Sequence, residues 1–381
     1  MEEPCYECEE SKENWLCLVC GKVGCSVYQK SHMSTHCKSK EHCLALSFSD
    51  MSFWCYKCDD YVISEVLEPI KKSFVRKKFP GGAPDLPFFN SEQVLPPKKD
   101  ESEFQDKTAL ESLIKRISEG EIKKVVVITG AGISVNAKIP NFRIPEQGLN
   151  KVLEETKLPY PEALFILQHF EEHSEYFYKV TKELLSRKYF PTKTHYFIKL
   201  LQDKGILLRN YTQNFDDLEL EAGIKKEKLI QVHGNLHTGH CIKCKEKVLD
   251  KELMEAMKVG LPKLCDKCKS PCRPDIVFFG ERLPKTVLEH ADELKNECDL
   301  LIVIGTSLMT APFCLFPSIP PNGVPRLVIN HSLPEIFKIK SETECCFMKG
   351  DCDESVTELV KLLKWDTEFE ALLKDNTKPS Q

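Results

Sequence analysis

Two cysteine pairs, Cys241-x2-Cys244 and Cys265-x2-Cys268, stand 20 residues apart and constrain this chain more than any other feature. Four thiolates at that spacing suit a closed tetrahedral zinc site, which keeps no open position for chemistry and therefore serves the fold. Cys272 comes next as a spare thiol. A second concentration comes earlier, where nine of the 19 cysteines fall between Cys5 and Cys58. In a reducing compartment such clusters read as metal ligands and not as disulfides. The first twenty residues are acidic and broken by cysteines, without the basic start and apolar stretch of a secretory leader. No run reaches the roughly 18 apolar residues of a membrane span. A cytoplasmic location, with the nucleus left open, is the expectation. A net charge of −5 gives no overall pull toward nucleic acid, so neither nucleic acid nor membrane is expected as a partner.

The texture of the chain divides it. Residues 1–68 are rich in cysteine and histidine, and residues 69–105 read as a linker. That stretch holds the basic run from Lys71 to Lys78, then Pro80-Gly81-Gly82, Pro84, Pro87, Pro96-Pro97 and an acidic patch, a composition that cannot build a packed core. The larger domain spans 106–375, with a zinc subdomain over about 236–272 and a short tail at 376–381. Helical spacing of Leu110, Leu113, Ile114 and Ile117 predicts a helix over Lys107–Ser118. Short apolar runs then alternate with helical stretches: KVVVIT (124–129), GILLRNY (205–211), DIVFF (275–279), LLIVI (300–304) and RLVI (326–329). This pattern predicts an α/β fold with a parallel sheet covered on both faces, whose ligands bind beyond the C-terminal strand ends.

The residues just past each run are therefore informative. Gly130-Ala131-Gly132-Ile133-Ser134 comes after the first run as a glycine turn able to approach a phosphate. It lacks the third glycine of the usual dinucleotide motif, and such a turn is also compatible with a plain tight bend. Gln213, Asn214, Phe215 and Asp216 come after the second run, His233-Gly234 after LIQV, Gly305-Thr306-Ser307 after LLIVI, and Asn330-His331-Ser332 after RLVI. One sheet edge gathers such residues into one site. His233 suits a general base by its ordinary titration range, with a structural histidine as the alternative.

Together these residues resemble the sirtuin family of NAD-dependent protein deacylases over about Lys107 to Asp375. The motifs are GAGISVNAKIPNFR (130–143), TQNFD (212–216), VHG (232–234), both CxxC pairs, PDIVFFGE (274–281), GTSL (305–308), LVIN (327–330) and GDCD (350–353). LPYPEALF (158–165) and the segment 191–214 look most like the group with the human cytosolic and mitochondrial deacetylases. The resemblance implies a Rossmann-like sheet with a smaller zinc subdomain. It implies that Gly130, Ala131, Gly132, Ile133, Ser134 and Val135 hold the NAD pyrophosphate and ribose, with Asn141, Phe142 and Arg143 on a cofactor loop. Gln213, Asn214, Phe215 and Asp216 would face the nicotinamide ribose, and Gly305, Thr306, Ser307, Asn330, His331, Ser332 and Cys352 the adenosine side. Asn214, Asp216 and His233 would be catalytic, His233 as base, yielding free lysine, nicotinamide and 2′-O-acyl-ADP-ribose. The acyl-lysine substrate would pair with Val277, Phe278, Phe279, Gly280 and Glu281, its acyl chain walled by Phe177, Leu236 and Phe278. Asn141 replaces the family's usual aspartate, Ala137-Lys138 its small-residue–glycine pair, and Phe215 its isoleucine. No Tyr and Arg pair comes after Arg143 to read an acidic acyl group, which favours neutral chains. A mono-ADP-ribosyltransferase and a non-catalytic NAD- and ubiquitin-binding adaptor are the alternatives.

The N-terminal module resembles the UBP-type zinc finger, which binds ubiquitin. Cys5, Cys8, Cys17, Cys20, Cys25, His32, His36 and His42 suffice for two tetrahedral zincs, with the pairing open. Family members grip ubiquitin's C-terminal glycines with an arginine just after the Cys25 position. Here Ser26 and Val27 stand there, while Trp54, Tyr56 and Tyr61 supply aromatics. Cys55 and Cys58 find no obvious partners, although Cys37 and Cys43 are candidates. A zinc-stabilised module for another protein partner is the alternative.

Overall fold

The computed structural model describes the chain apart from residues 1–2, 11–13, 27–29, 49–51, 58–59, 63–66, 68–69, 71–72, 75–99, 140–163, 280, 309, 311–312, 335, 338–343 and 377–381. It falls into two compact units, Met1–Leu95 with Met309–Phe316, and Pro96–Leu308 with Pro317–Gln381. Among the described residues no helix is long and apolar enough to cross a membrane.

The first unit is built on an antiparallel sheet of β1 (Asn14–Cys17), β2 (Val23–Cys25), β3 (Leu44–Ser47), β4 (Phe53–Cys55) and β5 (Asp60–Tyr61), in the order β2-β1-β3-β4-β5. Helix α1 (His32–Lys40) lies between β2 and β3 in sequence. It sits close on the sheet, since a Cβ on Gly24 would fall 2.9 Å from the Met33 nitrogen. The core is small: Cys17, Met33, Cys37 and Ala45 form one cluster, and Leu46, Phe53 and Leu67 another. A module of this size needs more than such a core to hold it. The linker expected from residue 69 begins too early. Ile70 and Phe74 pack on the module, and the Phe74 ring stacks 6.0 Å from Phe48. Apolar residues hidden in a basic run made the boundary hard to read.

The second unit opens with α2 (Lys107–Ser118), with the predicted bounds, its N-terminus capped by Asp106 accepting from the Thr108 N–H. Then come β6 (Val125–Thr129), α3 (Leu167–Glu172), α4 (Ser174–Leu185), α5 (Lys193–Asp203), β7 (Leu207–Thr212), α6 (Leu218–Glu221), β8 (Leu229–Gln231), β9 (Gly234–Cys241), β10 (Lys247–Val248), α7 (Asp250–Val259) and β11 (Cys272–Ile276). The rest is α8 (Lys285–Glu289), α9 (Ala291–Asn296), β12 (Leu300–Ile304), β13 (Arg326–Asn330), β14 (Cys345–Lys349), α10 (Cys352–Leu362) and α11 (Asp366–Asn376).

Six strands form a wholly parallel sheet in the order β14-β13-β12-β6-β7-β8. Every residue of β6 and of β12 is buried, as a sheet covered on both faces requires. Val125, Val127, Leu300, Ile302, Leu327 and Ile329 point into one core with Leu113, Phe197, Leu201 and Val356. The expected parallel-sheet strand at 275–279 is not there. Cys272–Ile276 pairs antiparallel with β9 in a separate sheet, β10-β9-β11, that carries the cysteine pairs. Hydropathy alone cannot tell which sheet a short apolar run joins. Conversely β14, a short run of Cys345, Cys346, Phe347 and Met348, is a strand that the apolar-run pattern does not include.

Candidate active site and zinc centres

The topology locates the crevice. The chain lays β6, β7 and β8 outward to one side, then returns to lay β12, β13 and β14 outward to the other. The order reverses between β6 and β12, the place where open α/β sheets hold ligands. The two loops that leave those strands interlock there. The Gly132 N–H donates to the Gly305 carbonyl at 2.8 Å. A Cβ on Gly132 would lie 2.5 Å from the Gly305 Cα, and one on Gly130 2.7 Å from the Thr306 Cβ. The glycines are thus demanded by loop-on-loop packing, a constraint beyond the phosphate approach expected of them. The chain from the turn onward forms a 3-10 helix, Ala131–Ala137.

A chain of hydrogen bonds ties the strand ends together. The Thr306 hydroxyl donates to Gln213 Oε1 at 2.7 Å. Asn214 Nδ2 donates to the Gly130 carbonyl at 3.2 Å and to Ser134 Oγ at 3.3 Å. Ser134 Oγ donates in turn to Asp216 Oδ2 at 2.7 Å, and the Leu218 N–H donates to Asp216 Oδ1 at 3.1 Å. Asn330 Nδ2 donates to the carbonyls of Thr306 and Ser332, at 3.1 and 2.9 Å. So two hydrogen-bonded sets, Gly130–Asn214–Ser134–Asp216 and Gln213–Thr306–Asn330–Ser332, stand side by side at one sheet edge through the adjacent residues Gln213 and Asn214. Burial pushes the Asp216 carboxyl above the usual carboxylate range, opposed by its bonds from Ser134 and Leu218.

His233 sits at the end of the outermost strand and joins the same edge. Its Nδ1 lies 3.0 Å from the Gln213 carbonyl, an acceptor only, so Nδ1 carries the proton and Nε2 keeps its lone pair. Burial lowers its pKa, against the smaller opposing effect of that carbonyl, so the ring is neutral near pH 7. A strained turn fixes the histidine in place: Gly234 has φ +78°, and a Cβ there would fall 1.9 Å from the Asp275 carbonyl.

Some expected residues are placed differently. Ile133 and Cys352 have side chains in the main core. Val135, Ser307, His331 and Ser332 are exposed. Asn141, Phe142, Arg143 and Gly280 lie outside the described residues. Phe177, Leu236 and Phe278 do share one apolar cluster, with Phe177 and Phe278 centroids 6.0 Å apart. Phe170, missed in the sequence, completes that cluster at 5.5 Å from Phe177 and 5.6 Å from Phe278. Partly buried Phe165 and Phe215, 6.2 Å apart, extend it. Phe279 pairs through its N–H with the Phe165 carbonyl. Glu281 fixes the adjoining turn, accepting from the Phe278 N–H at 2.9 Å and from Arg273 Nη2 at 2.7 Å. The sequence alone assigns no role to the posts behind the glycine turn: the Thr192 hydroxyl donates to the Ile133 carbonyl, and Asn136 Nδ2 to Asp351 and Asp353.

Three ligand groups fit zinc. Cys241, Cys244, Cys265 and Cys268 converge as expected, with Sγ–Sγ separations of 3.4 Å (Cys241–Cys268) and 3.5 Å (Cys244–Cys265). The N-terminal ligands resolve into two interleaved sets, Cys5, Cys8, Cys25 and His32, and Cys17, Cys20, His36 and His42. Their contacts run from 3.2 Å (Cys20 Sγ–His36 Nε2) to 3.9 Å (Cys8 Sγ–Cys25 Sγ). Zinc bond lengths of about 2.0–2.3 Å imply tetrahedron edges of about 3.3–3.8 Å, so the sites have the right size as well as the right atoms. Cys37, Cys43 and Cys55 join neither set, and Cys58 lies outside the described residues.

Comparison with known proteins agrees with both units. Residues 130–312 match the Sir2 family, and residues 5–67 match the zinc finger found in ubiquitin hydrolases and other proteins. The NAD-dependent deacetylase sir2A of Dictyostelium discoideum is 34% identical over 97% of this chain and 94% of its own length. The NAD-dependent protein deacetylase hst2 of Schizosaccharomyces pombe is 43% identical, covering 69% of this chain and 79% of its own. The NAD-dependent protein deacetylase sirtuin-2 of Danio rerio is 38% identical, covering 71% and 76%.

Proposed function

The chain belongs to the Sir2 family, and from that premise we propose how an NAD-dependent protein deacetylase of this sequence divides its work among its residues. The interlocked loops after β6 and β12, with the polar ends of β7 and β13, are suited to hold NAD at the switch point. Bound there, NAD supplies an electrophilic ribose carbon that can take the oxygen of an acyl-lysine as nicotinamide departs. Asn214 and Asp216 orient the ribose side. His233 Nε2, the atom its tautomer leaves open, accepts a proton from a ribose hydroxyl. Val277 to Glu281 bind the substrate backbone, and the phenylalanine cluster packs a neutral acyl chain. The observation that carries this is the pairing of a neutral, tautomer-fixed His233 with the Asn214–Ser134–Asp216 network on one edge. Incubation with NAD and an acetyl-lysine peptide tests it by mass spectrometry. Unmodified lysine, nicotinamide and 2′-O-acetyl-ADP-ribose are expected; ADP-ribose attached to peptide would overturn it in favour of transfer to protein. Zinc-site thiolates, nine cysteines among twelve ligands, suit a reducing compartment, and we place the protein in the cytoplasm.

For the zinc finger we propose weak or no binding of free ubiquitin. The module keeps Trp54 and Tyr56, but Ser26 is buried and no arginine comes after Cys25 to pair with a terminal carboxylate. A charge-assisted hydrogen bond is worth about 1.5–3 kcal/mol, or roughly 10–150-fold in affinity. Val27→Arg should therefore tighten binding of the full chain to ubiquitin by about that factor, and ubiquitin lacking its last two glycines should lose the gain. Tight, glycine-dependent binding by the unaltered protein would show that another group does the arginine's work.

A further inference from the structure

Immediately behind Asp216 lies a buried polar cluster that the proposed chemistry does not use. His195 and Glu219 are both 0% exposed. His195 Nε2 and both carboxyl oxygens of Glu219 have no hydrogen-bond partner. Ligand-type atoms of His195, Asp216 and Glu219 lie within 4.8 Å of one another. The other face of the histidine is fully engaged: the Thr192 N–H donates to His195 Nδ1 at 3.1 Å, while the Thr192 hydroxyl donates to the Ile133 carbonyl at 2.8 Å.

These bonds fix the chemistry. Because Nδ1 accepts, the neutral ring carries its proton on Nε2, the atom beside the carboxyl groups. A protonated nitrogen cannot ligate a cation, so the cluster is not a metal site. Burial keeps the ring neutral, its pKa pushed down to about 3. The two carboxyl groups are not equivalent. Asp216 accepts from Ser134 Oγ and the Leu218 N–H, whereas neither Glu219 oxygen takes a hydrogen bond of that geometry and only the nearby Thr212 hydroxyl favours its charge. Two buried carboxyl groups this close cannot both ionise cheaply, and the charge settles where the donors are. Asp216 is therefore the anion and Glu219 the neutral acid. Burial, then the Asp216 charge, raise Glu219 to about 8; Asp217 adds to this, and the Thr212 hydroxyl opposes it.

Taking Asp216 as part of the reacting site, as proposed above, we propose that His195 and protonated Glu219 are positioning residues. They present two buried proton donors to the rear of Asp216, hold it as the single negative charge of the cluster, and so set its orientation toward the cofactor ribose. Loss of the Glu219 proton would put a second buried anion beside Asp216. The groups that face Glu219 from the neighbouring elements are His195 on α5, Thr212 at the end of β7, and Asp216 and Asp217 before α6.

The test compares full-length wild type with Glu219→Gln, Glu219→Ala and Asp216→Asn. Glutamine keeps a neutral donor that cannot ionise. Glu219→Gln should match wild type at pH 7, and the alkaline fall in its kcat/KM should disappear or move up by at least about one pH unit. Glu219→Ala should lower kcat even at pH 7; should it fail to fold, the glutamine variant decides. A second measurement needs no cofactor. Glu219 has a folded pKa above the ordinary value of 4.5, so between pH 4.5 and about 8 the folded state holds a proton that the unfolded state has released. Its stabilising contribution is full below that window and is lost as pH rises through it. The Tm of Glu219→Gln relative to wild type should therefore climb from pH 5 to pH 8. Superimposable pH–rate profiles, or a Tm difference that ignores pH, would overturn the positioning role. Full activity of Asp216→Asn would instead remove Asp216 from the chemistry, a separate failure that leaves the Tm result intact.

Discussion

His233→Ala is expected to lower deacetylation by about 10²–10⁴-fold, the usual contribution of a positioned general base, while NAD affinity stays within a few-fold of wild type. The geometry explains the separation. The imidazole donates through Nδ1 to the Gln213 backbone carbonyl, so removing the ring frees a carbonyl but leaves the Asn214–Ser134–Asp216 and Thr306–Gln213 bonds intact. The pH profile gives a second check. A base works when deprotonated, and burial holds His233 below the ordinary histidine value of 6.5. The acid limb of kcat/KM should therefore fall below pH 6.5, with no loss at pH 7, and should vanish in the residual activity of the alanine variant. Isothermal titration for NAD and a discontinuous nicotinamide assay measure the two halves. Wild-type turnover in the variant would return His233 to the alternative of a structural histidine.

The strand ends were legible because each apolar run stops where a small or polar residue begins. β6 and β12 have the bounds that KVVVIT and LLIVI predict to within a residue, and the glycines just beyond them mark the crevice. Motif spacing brought out the ligand candidates equally well, since the eight N-terminal residues read from the sequence converge in two groups that could hold a metal ion. Their pairing was not legible. The two sets interleave along the chain, Cys17 and Cys20 falling between Cys8 and Cys25, and only the β1–β2 hairpin and α1 determine which thiols meet. The same limit hid the support of the site. Thr192 and His195 sit in the segment 191–214 and Glu219 three residues past TQNFD, but nothing in a one-dimensional pattern says that they converge at Asp216. The run DIVFF failed for a related reason: sheet membership depends on a long-range antiparallel partner, β9, that local hydropathy does not reveal.

That β9–β11 pairing also sets the second large effect, the loss of the catalytic unit when Cys265 becomes serine. Cys241 and Cys244 leave from the end of β9, and Cys265 and Cys268 precede β11, whose register pairs Cys272 with Cys241. Zinc thus closes the end of a three-stranded sheet. The other end of that sheet joins the chemistry, because Gly234 opens β9 directly after His233, and the Val277 N–H donates to the His233 carbonyl at 2.8 Å. Serine is a poor ligand, and three thiolates hold the metal weakly, so metal binding no longer contributes to folding. A loss of at least about 3 kcal/mol is expected, which is a fall in Tm of roughly 6–12 °C for a domain of this size. Deacetylation should fall with it, although Cys265 touches none of the reacting residues, because the sheet that positions His233 loosens from its far end. Chelation of the wild-type protein should reproduce both effects, and added zinc should reverse them. A zinc content lowered by one equivalent, measured by atomic absorption, would accompany the fall. If Cys265→Ser keeps its zinc and its Tm, the four thiolates are not a metal site, and the β9–β11 sheet must stand by its own packing of Leu236, Val248, Leu253, Met257 and Ile276.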